Sequence, residues 1–268
     1  MKDLYDALIE GIPENEPLDD VLSTHYGAIA MSRGNIGLSE FRDEWDTRPM
    51  NDSGDKTKKT LRELAAGVKS WNFTEAAMGV AAMNAYYNSP AMAEKNGLLL
   101  SSQSRVEDRN ADPFIAHQKE AMGKKVVVLG HFPYMEKLLK PVCDLYIVDR
   151  FPWRGDYPET AIDYLVPGSD MVFIGVMYFL EKSLPHILEL AGDAYVGLVG
   201  PVTVMSPILF DYGVDELDGF IPKNVALTER IQKEQEFGKI YSAGEKVSLR
   251  KTEYLEFCRM KEKGVLHE

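Results

Sequence analysis

Hydrophobic positions in the second half of the chain fall into short, separated runs. Residues 124–133, KKVVVLGHFP, pass from two lysines into four apolar residues, Val126 to Leu129, and the run stops at Gly130. A short β-branched run closed by glycine predicts a strand buried on both faces of a parallel sheet. Similar runs recur at 145–148, 171–174, 195–199 and 219–221, with helical patterns over 134–142, 180–190 and 206–212 between them. Strands alternating with helices predict a mainly parallel sheet with helical crossovers. Residues 246–250 form a last strand candidate. The charged tail, 252–268, has Tyr254, Leu255 and Phe257 as its apolar grip and predicts a docked or frayed terminal helix.

The first hundred residues are patterned differently. Leu4, Tyr5, Leu8 and Ile9 have helical spacing and end at Gly11. Residues 18–38 are punctuated by Gly27, Gly34 and Gly37, which predicts two or three strands with a turn at Arg33-Gly34-Asn35. The polar stretch 39–59 predicts a long loop, and 60–71 a helix with Leu61, Leu64, Ala65 and Val68 on one face. Asn72 and Glu75 have capping-box spacing before a helix rich in Ala and Gly that runs to about Tyr87, and Ser89-Pro90 predicts a further helix start. Strands first and helices after is an α+β signature. The polar connector 101–123 holds the expected boundary, giving domains at 1–110 and 111–251 and an extension at 252–268.

Charge narrows the partners. The 268 residues carry a formal net charge of −12. Such a surface repels phosphate backbones and anionic lipid, so nucleic acid and membrane are not expected as partners. No apolar stretch approaches the roughly 18 residues of a membrane span. The amino terminus lacks the apolar core of a signal peptide. Cys143 and Cys258 lie far apart, so a cytoplasmic, reducing location is the expectation.

Candidate chemistry gathers at strand ends. Ligands of doubly wound sheets bind beyond the carboxyl ends of the strands, where Gly130-His131-Phe132-Pro133 would lie. Gly130 lets the backbone turn sharply, Pro133 suits a first helical turn whose N–H groups favour an anion, and His131 can donate, ligate or carry a proton. The bland alternative is a tight turn capped by His131. Asp149 ends the next strand, 19 residues after Gly130. An acid there holds ribose hydroxyls in nucleotide-binding sheets, but the glycine fingerprint is absent and a salt bridge to Arg150 or Arg154 is the competing reading. Gly200-Pro201-Val202-Thr203 closes the fourth strand as a ligand loop or a plain turn. No two histidines have metal-ligand spacing, leaving a site assembled across the fold from His25, His131 and carboxylates. No nucleophile elbow is present, and Cys143, at an apolar helix end, reads as inert. Arg33, at a hairpin tip, could reach over the strand ends or sit in an ordinary turn. Arg105, Asp108 and Arg109 could form an ion network or bind an anion.

At these residues the chain resembles the putative heavy-metal-chelation domain family, proteins of unknown function. The matching segments are DLYDALIEGIP at 3–13, SWNFTEAAMGVAAMNAYYN at 70–88, RVEDRNADPF at 105–114, the 130–133 loop, GDYP at 155–158, 200–207 and ELDGF at 216–220. The resemblance implies an α+β domain like the amino-terminal domain of enolases, followed by a Rossmann-like α/β domain. It also implies a site in the cleft between them. The implied cleft residues are His25, Arg33, Gly37, Asn84, Tyr86, Gly130, His131, Asp149, Gly200, Pro201 and Thr203. Relatives usually carry a polar turn after the third Rossmann strand, where this chain has Gly175-Val176-Met177. The expected function is binding of a small molecule, a divalent or heavy metal, or a metal complex, with His131 as the proton-transfer candidate should a reaction follow. A nucleotide- or S-adenosylmethionine-dependent transferase with Asp149 on the ribose, or a carrier without catalysis, stand as alternatives. The ligand, the reaction and any homo-oligomer stay open.

Overall fold

The computed structural model describes residues 3–41, 48–52, 54–101 and 112–264. Helix α1 (Leu4–Glu10) begins where the Asp3 carboxylate accepts the Tyr5 N–H at 2.8 Å. Strands β1 (Asp20–Thr24), β2 (Gly27–Ser32) and β3 (Asn35–Glu40) form an antiparallel sheet in sequential order. The β2–β3 turn uses Arg33 at φ +48° and Gly34 at φ +75°. Two central residues at positive φ match the right-handed twist of the strands they join.

Helix α2 (Leu61–Ala65) carries a complete capping box from Thr60 and Glu63. Helix α3 (Phe73–Tyr87) does not. Asn72 Oδ1 accepts the Glu75 N–H at 2.9 Å, but the Glu75 carboxylate turns away to accept the N–H groups of Asn51 and Asp52 and the Ser70 hydroxyl. The expected reciprocal half of the cap instead anchors a loop. Small residues let α3 lie directly on β3, where a Cβ on Gly37 would come within 2.0 Å of Ala85 N and 2.1 Å of Ala81 O. Helix α4 (Pro90–Lys95) starts at Ser89-Pro90 as expected.

After the short helix α5 (Pro113–Ala116), the apolar runs become strands β4 (Lys125–Leu129) and β5 (Asp144–Asp149), with α6 (Met135–Leu139) between them. Then follow β6 (Tyr157–Pro158), α7 (Ile162–Leu165), β7 (Met171–Gly175), α8 (Met177–Leu180), α9 (Leu184–Ala191), β8 (Tyr195–Val199), β9 (Glu216–Pro222), α10 (Val225–Lys233), β10 (Gly244–Arg250) and α11 (Lys251–Glu262). The sheet order is β10-β9-β8-β7-β4-β5-β6, parallel except for β10. The chain is thus a mixed α+β protein with a small antiparallel sheet and a larger, mostly parallel one.

Alternation within the strands sorts the core. Val127, Leu129, Val172, Ile174 and Leu198 face one cluster, which extends to α1 and α3. Val126, Val128 and Phe173 face another with Phe114, Met135 and Leu139. Val126 to Leu129 are fully buried, and each such side chain contributes about 1.5–3 kcal/mol.

Three sequence expectations change. The helix expected over 180–190 breaks at Lys182, φ +68°, because Pro185 belongs to the first turn of a new helix. The helix expected over 206–212 is a 3-10 helix at Pro207–Tyr212. Helix α10, with few apolar positions, was not expected at all. The terminal helix has no buried residue but docks: a Cβ on Gly97 would meet the Phe257 ring at 2.7 Å, and Tyr254 lies 5.8 Å from Phe210 between ring centroids.

Asn84 of α3 and Asn88 at its carboxyl cap join the helix to the loop after β8. Asn84 Nδ2 donates to the carbonyls of Leu38 at 2.7 Å and Val202 at 2.8 Å. Asn88 Nδ2 donates to Thr203 and Phe220 carbonyls, and its Oδ1 accepts the Met205 N–H at 3.0 Å. Tyr5 adds a hydroxyl bond to the Phe179 carbonyl at 2.8 Å.

Candidate functional site

Glycine ends or directly follows β4, β7 and β8. Gly130 (φ +112°) and Gly200 (φ +144°) turn the chain in a region that L side chains rarely adopt, and a Cβ on Gly175 would lie 2.9 Å from the Leu129 carbonyl oxygen. These bare strand ends floor a cavity of about 300 Å³, with Glu40 of β3 on its wall. In the sheet order, β4 lies between β5 and β7. The chain leaves β4 toward one side and returns on the other, which is the arrangement that opens a crevice at strand ends.

Two carboxylates hold His131 and the loop after β5 together. Asp149 accepts the His131 N–H at 2.9 Å through Oδ2 and the Phe151 N–H at 2.7 Å through Oδ1. Asp156 Oδ2 contacts His131 Nδ1 at 2.8 Å and accepts the Trp153 N–H at 2.9 Å. The Trp153 ring stacks on the imidazole at 4.3 Å and 16°. An ionised carboxylate only accepts, so in the neutral ring Nδ1 carries the hydrogen and Nε2 keeps its lone pair. Asp149 thus binds the backbone of the loop itself, ahead of the next helix. That helix starts at Met135, later than Pro133 suggested, and has only five residues. Neither Arg150 nor Arg154 takes the salt-bridge role beside Asp149: Arg150 pairs with Glu181 across the cavity wall.

The 175–177 segment lines the cavity, with Val176 and Met177 as its apolar side chains. Tyr178 lines it too. Its buried hydroxyl has no hydrogen-bond partner, and burial pushes the phenol's pKa well up.

Of the residues expected in a cleft, Gly130, His131, Asp149, Gly200 and Pro201 line this cavity. The other six do not. Arg33 lies at the end of β3 remote from Glu40, its Nε 2.7 Å from Glu16. His25 is exposed in the β1–β2 turn, near Gly27, which pairs with Glu40. Gly37 and Asn84 belong to the contact of α3 with β3. Tyr86 is half-buried with its ring edge-on to Tyr87. Thr203 is 2% exposed, its hydroxyl unpartnered. Arg105, Asp108 and Arg109 fall outside the described residues. Sequence reasoning did not name Glu40, Phe151, Trp153, Tyr178 and Glu181 as site candidates, nor Asp156 behind His131; the GDYP motif, the long loop after residue 39 and the apolar turn before Tyr178 were the signals that pointed near them.

A second polar cluster lies under the β8–β9 side of the sheet. Glu216, fully buried, accepts from Tyr195 at 2.8 Å, Ser248 at 2.7 Å and Arg250 at 2.8 Å, and pairs with His117 Nε2. Burial alone would raise the Glu216 carboxyl, but these partners hold it at about 2. Burial opposes charge on His117, yet Glu216 and Glu120 raise its pKa. Asp218, two residues on, is 1% exposed and neither carboxylate oxygen has a partner. Burial, then the Glu216 charge, pushes it well above the usual carboxylate range.

The described side chains alone do not form a metal cage. Among the described residues no three His, Cys, Asp or Glu gather around a common point. Asp149 accepts N–H groups through both oxygens and Asp156 through Oδ2, and beside them His131 Nε2 keeps a free lone pair.

Fold and cavity together describe a protein built around a strand-end crevice of a parallel sheet. Residues 112–250 match the DUF364 family and residues 5–87 the DUF4213 family, both described as "Putative heavy-metal chelation". The chain belongs to the DUF364 family. It is similar to a crystal structure of a DUF364 protein of unknown function from Desulfitobacterium hafniense DCB-2, with 42% identity over 92% of this chain and 98% of that one, TM-score 0.84. A DUF364 protein of unknown function from Pyrococcus horikoshii shares the fold at 20% identity, TM-score 0.78, over 92% of this chain and 98% of that one. No curated protein matches significantly.

Proposed function

We propose that the protein binds a small ligand in the strand-end cavity, between an enolase-N-terminal-like domain at 1–110 and a Rossmann-like domain at 111–251, with 252–268 as an added extension. The observation that carries this is the cavity's position, at the carboxyl ends of β4, β5, β7 and β8, where the order of the sheet reverses. His131 is the working side chain. Asp156 fixes its tautomer and Trp153 its plane, so Nε2 is the atom that accepts a proton or a metal bond. A heavy metal, as cargo, arrives as a complex, because the described side chains do not form a cage. Glu40 contributes charge from the opposite wall.

Metal content of protein purified without chelator, compared with His131→Ala, tests the metal arm. Thermal melting with Zn²⁺, Ni²⁺ and Cd²⁺, each alone and with small chelators, tests the ligand arm. Ligand at a hundredfold excess over Kd adds about 2.7 kcal/mol, a shift of several degrees that His131→Ala should abolish or reduce. Equal trace metal in both proteins, with no shift from any ion or complex, refutes the reading.

A further inference from the structure

The terminal helix α11 has two faces. Tyr254 and Phe257 lie on the docked one, against Phe210 and Gly97. Thr252, Leu255, Glu256, Arg259, Met260 and Lys263 recur at three- and four-residue spacing along the opposite face and line a shallow groove there. All but Met260 are exposed, Leu255 by 43%. Among the described residues Glu256, Arg259 and Lys263 make no ion pair, although Arg250, just before the helix, pairs with Glu216 at 2.8 Å. The DUF364 match ends at residue 250, so α11 lies beyond it and its outer face is argued from this chain's own residues.

We propose that this face is the contact between two copies of the chain, which pair their α11 helices antiparallel about a two-fold axis. Such a contact must be self-complementary, and this face is. Turning a second α11 end for end about the point between Phe257 and Cys258 sets Glu256 of each copy against Arg259 of the other. The same turn sets Leu255 against Met260 and Thr252 against Lys263. The axis makes each contact twice. Parallel pairing would instead set Glu256 on Glu256 and Arg259 on Arg259, like charge on like.

Charge over the whole molecule favours the same place. The chain carries −12, so copies repel over most of their surface. Residues 251–263 hold four basic and three acidic side chains, so two acidic copies meet here without local net repulsion. Area sets the strength. Helix α11 has 12 residues, about 18 Å of length, and one face of it offers less than the about 800 Å² per partner of a standard stable interface. The pair is therefore weak and exchanging, with a Kd in the micromolar-to-millimolar range, and salt loosens it.

Sedimentation equilibrium of the whole chain at low salt, carried to millimolar protein, reads the association. The expected result is a monomer–dimer equilibrium. Glu256→Arg and Arg259→Glu each set like charges opposite one another at both contacts, and each alone should weaken the dimer roughly tenfold. An equal mixture of the two variants brings opposite charges together again and should associate at least as tightly as the wild type. Both variants stay strongly acidic, so that rescue reports the local contact. Leu255→Lys should weaken the dimer too. These positions are exposed, and circular dichroism checks that each variant is folded.

A chain that stays monomeric at millimolar protein overturns the proposal. So does a dimer that neither charge reversal weakens, whose contact then lies on another face. A mixture that associates no better than either variant alone overturns the antiparallel register. Growth beyond the dimer also decides against it, because a two-fold contact closes.

Discussion

Asp218→Asn should flatten the pH dependence of stability. Glu216 and Asp218 point to one face of β9, but only Glu216 is compensated. Ser248 lies opposite Asp218 in the β9–β10 register, yet its hydroxyl donates to Glu216, as does Arg250, while Lys246 donates to Asp112. With these donors committed elsewhere, burial and the Glu216 charge push the Asp218 carboxyl well above the usual carboxylate range. A carboxyl whose folded pKa is raised contributes stability below its unfolded value, about 3.9, and loses it as pH rises toward the folded value. Across that interval the folded state keeps one proton that the unfolded state has lost. The stability difference between wild type and Asp218→Asn should therefore fall by about 1.4 kcal/mol per pH unit, roughly 3 kcal/mol between pH 5 and 7 if the folded carboxyl stays protonated throughout. His117 acts in the same direction but later. Its raised pKa makes its contribution complete below about 6.5 and lost as pH rises through the folded value. Glu216 acts oppositely, contributing above about 4.3 and losing that contribution as pH falls toward about 2. Urea unfolding of both proteins at pH 5, 6 and 7 measures the slopes. Parallel curves would show that Asp218 ionises normally and would refute the reasoning, since Asn keeps the shape but cannot titrate.

Three further outcomes follow from named contacts. Asn88→Ala removes donors and acceptor from Thr203, Phe220 and Met205 backbone groups and should cost about 3 kcal/mol, given roughly 1–3 kcal/mol per buried group left unsatisfied; a urea midpoint within error of wild type would refute this. Nitrogen-15 spectra at a pH where His131 is neutral should place its hydrogen on Nδ1, and Asp156→Ala should mix the tautomers; an Nε2–H signal in the wild type would contradict the Asp156 role. Burial pushes the Cys143 thiol up to about 11, so iodoacetamide at pH 7.5 should modify it at least ~100-fold more slowly than a free thiol of pKa about 8.5, measured by peptide mass spectrometry.

The parallel sheet was legible because burial on both faces writes itself as uninterrupted apolar runs. The strand-end glycines were legible for a related reason, since they interrupt those runs where the chain must turn. Helix α10 was not, because Val225, Leu227 and Ile231 are its few apolar positions and the rest of the helix is polar. The site divides along similar lines. His131 and Asp149 sit at the ends of readable strands. Glu40 reaches the cavity only because α3 presses β3 against the loop after β8, a contact between residues far apart in sequence. Asp156 meets His131 across 25 positions, and no local spacing announces that pair. Asn84 was expected in the cleft only through the family resemblance. Its amide instead serves two backbone carbonyls, which is what a buried polar group on a close-packed helix must do.

Those same contacts bear on how a family described as "Putative heavy-metal chelation" could work with so few metal ligands. Asn84 and Asn88 anchor the loop after β8, and Asp149 and Asp156 the loop after β5. A bare soft ion demands several donors at once, and the described residues do not assemble them. The cavity nevertheless lies within a field of carboxylates, in a chain of net charge −12, that attracts cations. A preformed cationic complex asks less of the protein: one nitrogen from His131, a surface to lie against, and negative walls. This supports capture of a complex over capture of an ion, and the two differ in an observable. For a complex, affinity should change with the chelator at fixed metal; for a bare ion it should follow free metal alone, and curves that collapse onto free-metal concentration would decide against the complex.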